Sequence, residues 1–92
     1  MASSLSSGGG ESRPPPVHPG EVLADELAEL GISVAALARA LDIPMLSMAE
    51  IVQGKRSVTA DTALRLATHF GTSARIWVNL QAAYDLARTR AA

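Results

Sequence analysis

The stretch Ser33–Val58, SVAALARALDIPMLSMAEIVQGKRSV, decides the fold of this 92-residue chain. Its first half repeats leucine and alanine at helical spacing, and the small alanines allow a second helix to cross closely. Asp42–Pro44 interrupts the repeat, and because proline can begin a helix but not continue one, a new helix is predicted over Pro44–Val52. Gly54 suits the left-handed position after that helix, and a Lys-Arg pair follows. Two short helices around a tight turn predict a helix-turn-helix, which can present one helix to a DNA major groove.

The composition predicts an all-α fold. Hydrophobic residues make up 48% of the chain, and leucine, isoleucine and valine recur at helical rather than alternating spacing. The absence of cysteine excludes disulfides and cysteine-based zinc sites. No apolar run reaches the roughly 18 residues of a membrane helix, so we expect a cytoplasmic protein without membrane contact. The net charge is −1, with −4 on residues 1–32 and +3 on residues 33–92. This uneven distribution either favours phosphate contact by the second part of the chain or reflects a solvated acidic face on helix one.

The predicted organisation is a disordered tail followed by one domain of five helices. Residues 1–16 are rich in serine, glycine and proline and have almost nothing to bury, whereas residues 17–90 carry the helical patterns. Pro19 suits the first turn of helix one, and Gly31 ends that helix. Ser33 is the expected N-cap of helix two.

Two further helices are predicted after the Lys-Arg pair. Thr59 or Asp61 can cap helix four, and Ser73 can cap helix five. The apolar residues expected to be buried by helix four are Ala63, Leu64, Ala67 and Phe70. The apolar stripe of helix five consists of Ile76, Trp77, Leu80, Ala83, Tyr84 and Ala87.

The stripe on helix five contains the only tryptophan and the only tyrosine of the chain. A domain this small leaves much apolar surface unburied, and aromatic residues are enriched at protein interfaces. We therefore expect a homodimer, with helix five as the dimerisation helix. The predicted interface residues are Trp77, Leu80, Gln81 and Tyr84. The alternative is that both aromatic residues complete the core of a single chain.

From Val17 to Leu86 the chain resembles the HigA-type antitoxins, which are helix-turn-helix proteins of the Xre/Cro-repressor superfamily. The matching segments are HPGEVL at 18–23, ALARALDIP at 36–44, IVQGKRSVTADTALRLA at 51–67, FGTS at 70–73 and WVNLQAAYDL at 77–86. The resemblance implies a five-helix, lambda-repressor-like domain that forms homodimers. It also implies binding of a RelE-like ribonuclease toxin and repression of the shared operon through operator DNA.

The candidate DNA-binding residues lie in three places: the start of helix two, the outward face of helix three and the loop after it. They are Ser33, Met45, Leu46, Ser47, Glu50, Gln53, Lys55, Arg56, Ser57 and Thr59. The loop residues match the family, but Leu46 stands where family members commonly carry Asn, Arg or Ser. Only Ser47 and Gln53 can form ordinary hydrogen bonds with base edges. Glu50 can accept a hydrogen bond from cytosine but otherwise repels DNA. We therefore predict weak, salt-sensitive binding to double-stranded operator DNA.

Two functions from different classes follow. The first is an antitoxin of a type II toxin-antitoxin module that represses its operon as a dimer and neutralises a basic ribonuclease. The second is a toxin- or protein-binding module whose helix-turn-helix is degenerate, because the apolar face at Met45 and Leu46 suits a protein better than a groove. The acidic first helix and the tail are candidate toxin-binding surfaces, chosen on charge alone. The acidic residues of that helix are Glu21, Asp25, Glu26 and Glu29.

An enzymatic function is not expected. His18 and His69 are far apart in sequence and match no metal-ligand spacing, so both are interpreted as structural. The serines are placed as caps or loop residues rather than nucleophiles. The three consecutive glycines of the tail follow no predicted strand and do not form a phosphate-binding motif. No catalytic residue, metal or cofactor is therefore predicted.

Overall fold

The computed structural model describes residues 16–91, so the predicted tail lies outside the described residues apart from Pro16. Within this range the chain forms five helices and no strand, which confirms the all-α prediction. The helices are α1 (Pro19–Leu30), α2 (Val34–Leu41), α3 (Met45–Val52), α4 (Ala60–Phe70) and α5 (Ala74–Ala91). Among these residues, no helix combines the length and the apolar character that crossing a bilayer requires.

Short polar side chains set the starts of α2 and α4. Ser33 Oγ accepts a hydrogen bond from the Ala36 N–H at 3.0 Å, which confirms the predicted cap of α2. Thr59 Oγ1 accepts from the Thr62 N–H at 3.3 Å. Of the two candidate caps for α4, Thr59 is therefore the residue used, and Asp61 lies inside the first turn.

The turn between α2 and α3 is held from outside by α4. Asp42 ends α2 with a left-handed φ of 57°, which an aspartate tolerates better than most residues. Arg65 Nη1 donates to the carbonyl oxygens of Leu41 at 2.7 Å and Asp42 at 3.3 Å, so it satisfies two backbone acceptors at the end of α2. Because Arg65 belongs to α4, this contact ties the end of α2 and the start of the turn to α4.

A single apolar core joins the five helices. Its buried members are Leu23, Leu27, Leu37, Ala38, Leu41, Met48, Ile51, Val58, Ala63, Leu66 and Trp77. The prediction that Leu64 lies in this core is wrong: 61% of the residue is exposed, whereas Leu66 is fully buried. Leu66 lies one turn along from Thr62 and Ala63 and shares their buried face, and Leu64 points away from it. Ala67 and Phe70 are half-buried.

Helix α1 crosses α3 at very close range. A Cβ atom added to Gly20 would overlap the carbonyl oxygen of Ile51, so only glycine allows the two backbones to meet there. At the same crossing, a Cβ on Gly54 would lie 3.6 Å from Cγ of His18. The end of α3 and the loop after it are therefore placed directly against the start of α1.

Candidate nucleic-acid interface

Helix α3 lies on the surface with one side anchored and the other open. Met48 and Ile51 point into the core. Met45, Leu46 and Gln53 are exposed, Leu46 to 71%. This arrangement leaves the predicted outward face free to meet a large partner such as a DNA groove.

The loop after α3 continues this surface with polar groups. Ser47, Arg56, Ser57 and Thr59 line one shallow cleft beside α3, so the structure brings these predicted DNA-binding residues together. Ser33, by contrast, is engaged as the cap of α2 and is not among the residues that line this cleft. The Arg56 guanidinium and the three hydroxyl groups can donate hydrogen bonds to phosphate oxygens, although Asp42 and Asp61 line the same cleft.

Two of the three charged candidates, Glu50 and Arg56, form an ion pair with each other. Both Nε and Nη2 of Arg56 donate to Oε1 of Glu50, at 2.9 and 2.7 Å. Lys55 is exposed, and its backbone N–H donates to the Glu50 carbonyl at 2.8 Å. The charge of Arg56 is therefore offset by a carboxylate on α3, whereas the Lys55 side chain extends into solvent.

Helix α5 supports the candidate DNA-binding surface from within the core. Trp77 is 4% exposed and Gln81 is 7% exposed, so both are buried within the protomer rather than presented to a second copy. This corrects the prediction for these two residues: the Trp77 side of α5 packs against the core of its own chain, whereas Ile76 and Ala83 of the predicted stripe are exposed. Leu80 and Tyr84 are half-buried and stay predicted dimer contacts. Gln81 Oε1 instead accepts from the buried Val58 N–H at 2.8 Å.

His18 has a structural role, as predicted, but a more specific one than the sequence indicated. It is buried, and its Nδ1 accepts from the Gly20 N–H at 2.8 Å, which caps α1. Its ring meets the Tyr84 ring edge-on, with 4.8 Å between centroids. Burial lowers the pKa of His18 below its ordinary value, opposed in part by the carboxylates of Asp85 and Glu21. A histidine directly before a Pro-Gly helix start was the available signal for this role.

His69 is exposed and stacks edge-on against Phe70, with ring centroids 4.9 Å apart. Within residues 16–91 no three histidine, cysteine, aspartate or glutamate side chains are grouped as metal ligands would be. The chemistry of the site is thus hydrogen bonding, apolar contact and charge, presented by one exposed helix after a short turn. These are the properties of a helix-turn-helix DNA-binding protein.

Comparison with known proteins agrees with this class. Residues 22–74 match the model of the Cro/C1-type HTH DNA-binding domain. The chain is 49% identical over 78 residues to virulence-associated protein I of Dichelobacter nodosus, covering 84% of this chain and 72% of that protein. It is 37% identical over 76 residues to antitoxin HigA-1 of Vibrio cholerae, covering 82% and 71%.

A solved structure carries the likeness further. The Pseudomonas aeruginosa antitoxin HigA, solved with the higBA promoter, is 51% identical, has a TM-score of 0.81, and matches 83% of this chain and 84% of its own. The chain belongs to the Cro/C1-type helix-turn-helix family and, within it, to the HigA-type antitoxins. Proteins of this kind are DNA-binding antitoxins and regulators, so the expectation that the protein is not an enzyme is confirmed.

Proposed function

We propose that this protein is a dimeric repressor of its own operon and the antitoxin of a basic, RelE-like ribonuclease. The observation that carries the proposal is the open outward face of α3, continued by Lys55 and Arg56 in the loop. The Pseudomonas relative was solved with its promoter, which supports operator DNA as the ligand of the corresponding helix here. A repressor of this kind works in the cytoplasm.

The interface supports weak and strongly salt-dependent DNA binding. Each subunit presents two cations in the loop, and one of them, Arg56, is paired with Glu50. Because each phosphate neutralised contributes about 0.9 to the slope of log K against log salt, a dimer should show a slope near −1.8 from Lys55 alone and near −3.6 where Arg56 also leaves Glu50 for a phosphate. Leu46 adds apolar contact with thymine methyl groups but no hydrogen bond, so base discrimination rests on Ser47 and Gln53.

Fluorescence anisotropy of a labelled duplex from upstream of the gene tests this proposal. Lys55→Glu should weaken binding and reduce the salt slope by about 1.8 per dimer, one phosphate contact for each subunit. Arg75→Glu makes the same charge change at an exposed residue beyond the far end of α4 and should leave the slope unchanged. Equal affinity for the upstream duplex and a scrambled duplex of the same length would contradict operator recognition.

The toxin-binding part of the proposal is supported by the acidic character of α1. Glu21, Asp25 and Glu29 are exposed and Glu26 is half-buried, so α1 offers a basic protein a negatively charged surface. We expect the adjacent gene to encode a small basic protein, and co-expression with that protein should yield a complex that co-purifies at low salt. Asp25→Lys combined with Glu29→Lys should weaken that complex, and DNA binding by the same variant serves as the folding control.

The homodimer is proposed to form through α5. Leu80 and Tyr84 lie half-buried at the margin of the core, and Ile76 and Leu86 are exposed on the same helix. Sedimentation equilibrium should therefore give twice the chain mass of 9.6 kDa. Leu86→Glu should shift the equilibrium toward the monomer, whereas a monomeric wild-type protein at micromolar concentration would contradict the dimer.

A second candidate function is favoured by the apolar tip of α3. Met45 and Leu46 are both exposed at its first turn, and exposed apolar side chains are a property of protein-binding surfaces. On this alternative the fold serves a protein partner and has lost operator reading. The two functions differ in one result: a partner-only module binds the neighbouring basic protein but shows no preference for the upstream duplex.

A further inference from the structure

Gln81 is a buried amide whose two ends are both engaged. Its Oε1 accepts from the Val58 N–H at 2.8 Å, and its Nε2 donates to Asp85 Oδ1 at 3.0 Å. An amide withdrawn from water in this way is tolerated only because both hydrogen bonds are made. The bond to Val58 links α5 to a loop 23 positions earlier in the chain.

The loop that Gln81 holds is the one that carries the cations. Val58 directly follows Lys55, Arg56 and Ser57 and precedes Thr59, the cap of α4. The Val58 side chain is buried in the core, so the hydrogen bond fixes the backbone at a point where the side chain is already anchored. The hydrogen bond from α5 therefore helps to fix the backbone from which the Arg56 side chain extends.

A second contact holds the same loop from the other side. The His18 ring lies beside Gly54 at the start of the loop, where an added Cβ would be 3.6 Å from its Cγ. His18 in turn lies edge-on against Tyr84 of α5. The loop is thus contacted at Gly54 by the start of α1 and hydrogen-bonded at Val58 by α5.

We propose that Gln81 is a positioning residue for DNA binding, which holds the Lys55–Thr59 loop in the arrangement that contacts phosphates. This inference rests on the proposed operator binding and adds a residue that touches no DNA. The physical reason is that an unbound loop must lose backbone freedom before its cations can meet phosphates, whereas a loop fixed beforehand has already lost it. Because α5 is also the proposed dimer helix, subunit pairing and loop placement depend on the same element.

The test compares three proteins. Gln81→Met keeps the approximate length of the side chain and removes the acceptor for Val58. Gln81→Glu combined with Asp85→Asn keeps the net charge and both hydrogen bonds, with donor and acceptor exchanged between positions 81 and 85. Wild type, the single variant and the double variant are each measured by anisotropy at several salt concentrations and by amide hydrogen exchange.

For Gln81→Met we expect the Val58 amide to exchange at least about tenfold faster, since its local protection is lost. We also expect the salt slope of DNA binding to fall by about 1.8 per dimer for each loop cation that loses its phosphate in both subunits. The double variant should restore both values. A purely structural role would lower the fraction of active protein and leave the slope unchanged.

Two results would overturn the inference: an unchanged slope in Gln81→Met, or a double variant that restores Val58 protection but not the slope. If Gln81→Met does not fold, Gln81→Asn, which withdraws the acceptor by one methylene, is judged by the same two measurements. If the wild-type protein binds DNA and the variants keep the same salt slope, only the role of Gln81 is refuted. Wild-type protein without salt-dependent DNA binding refutes the proposed function as well.

Discussion

Replacing Glu50 by glutamine is expected to strengthen DNA binding and to steepen its dependence on salt. Two N–H groups of Arg56 donate to one carboxylate oxygen of Glu50, at 2.9 and 2.7 Å. The Arg56 side chain is 52% exposed and that of Glu50 is 32% exposed. Exposed ion pairs of this kind contribute about 0.2–1 kcal/mol to stability, so removing the carboxylate costs the fold little and releases the cation.

The size of the effect follows from the number of phosphates that the released cation can reach. If each Arg56 gains one phosphate, the slope of log K against log salt becomes steeper by about 0.9 per subunit, or about 1.8 per dimer. Between 50 and 200 mM salt, that difference adds a further factor of about ten to the loss of affinity. Removal of a negative charge that faces the DNA acts in the same direction at every salt concentration.

Anisotropy titrations of the upstream duplex over that salt range measure both affinity and slope. Asp25→Asn, which removes a carboxylate charge from α1, is the charge-matched control and should leave the slope unchanged. A weaker affinity in Glu50→Gln with an unchanged slope would refute the reasoning. It would mean that Glu50 holds Arg56 in the orientation that phosphate binding uses, so that the ion pair persists in the complex.

Three further predictions concern the fold. Leu66→Ala should lower the free energy of unfolding by about 2–5 kcal/mol in urea, whereas Leu64→Ala should change it by less than about 0.5 kcal/mol. Gly20→Ala should lower the free energy of unfolding by more than about 3 kcal/mol, because the added Cβ overlaps a backbone carbonyl of α3. The Cβ added by Gly71→Ala meets no other atom, so this variant should cost only about 1–2 kcal/mol for its positive φ. Thermal unfolding of the two variants measures the difference. Burial lowers the pKa of His18 in the folded state, so its contribution to stability should be complete above about pH 6.5 and should be lost as the pH falls through the folded-state pKa. His18→Asn keeps an acceptor for the cap and does not titrate, so its free energy of unfolding should fall less in acid.

Most helix boundaries could be predicted from the sequence because their causes are local. Ser33 caps α2 with its own hydroxyl group, and Gly31 supplies the left-handed residue that ends α1. Pro44 stands immediately before α3, where its fixed φ favours a helix start. The inward face of α4 was predicted less well, since the spacing of Leu64 and Leu66 allows either to be buried. Contacts with other helices, including those of Arg65 with the end of α2, decide which face turns inward.

The residue types of the site could also be predicted, but not how they pair. An exposed α3 followed by two cations is evident from the pattern of Met48, Ile51 and the Lys-Arg pair. The ion pair between Glu50 and Arg56 spans the end of a helix, where residues six positions apart meet only because the chain turns at Gly54. Periodicity describes a continuous helix and says nothing about contacts made after it stops.

The assignment of Trp77 and Gln81 shows how a small core changes the interpretation of an amphipathic helix. Sequence patterns identify the apolar face of α5 but not what covers it, because a second copy and the rest of the chain are equally suitable. In this protein the rest of the chain covers Trp77, which belongs to the same buried cluster as the leucine side chains of the other helices. Any dimer contact must then come from the margin and the outer side of α5. It follows that Leu86→Glu should separate subunits without disturbing Val58, whereas a substitution at Gln81 should disturb the loop first.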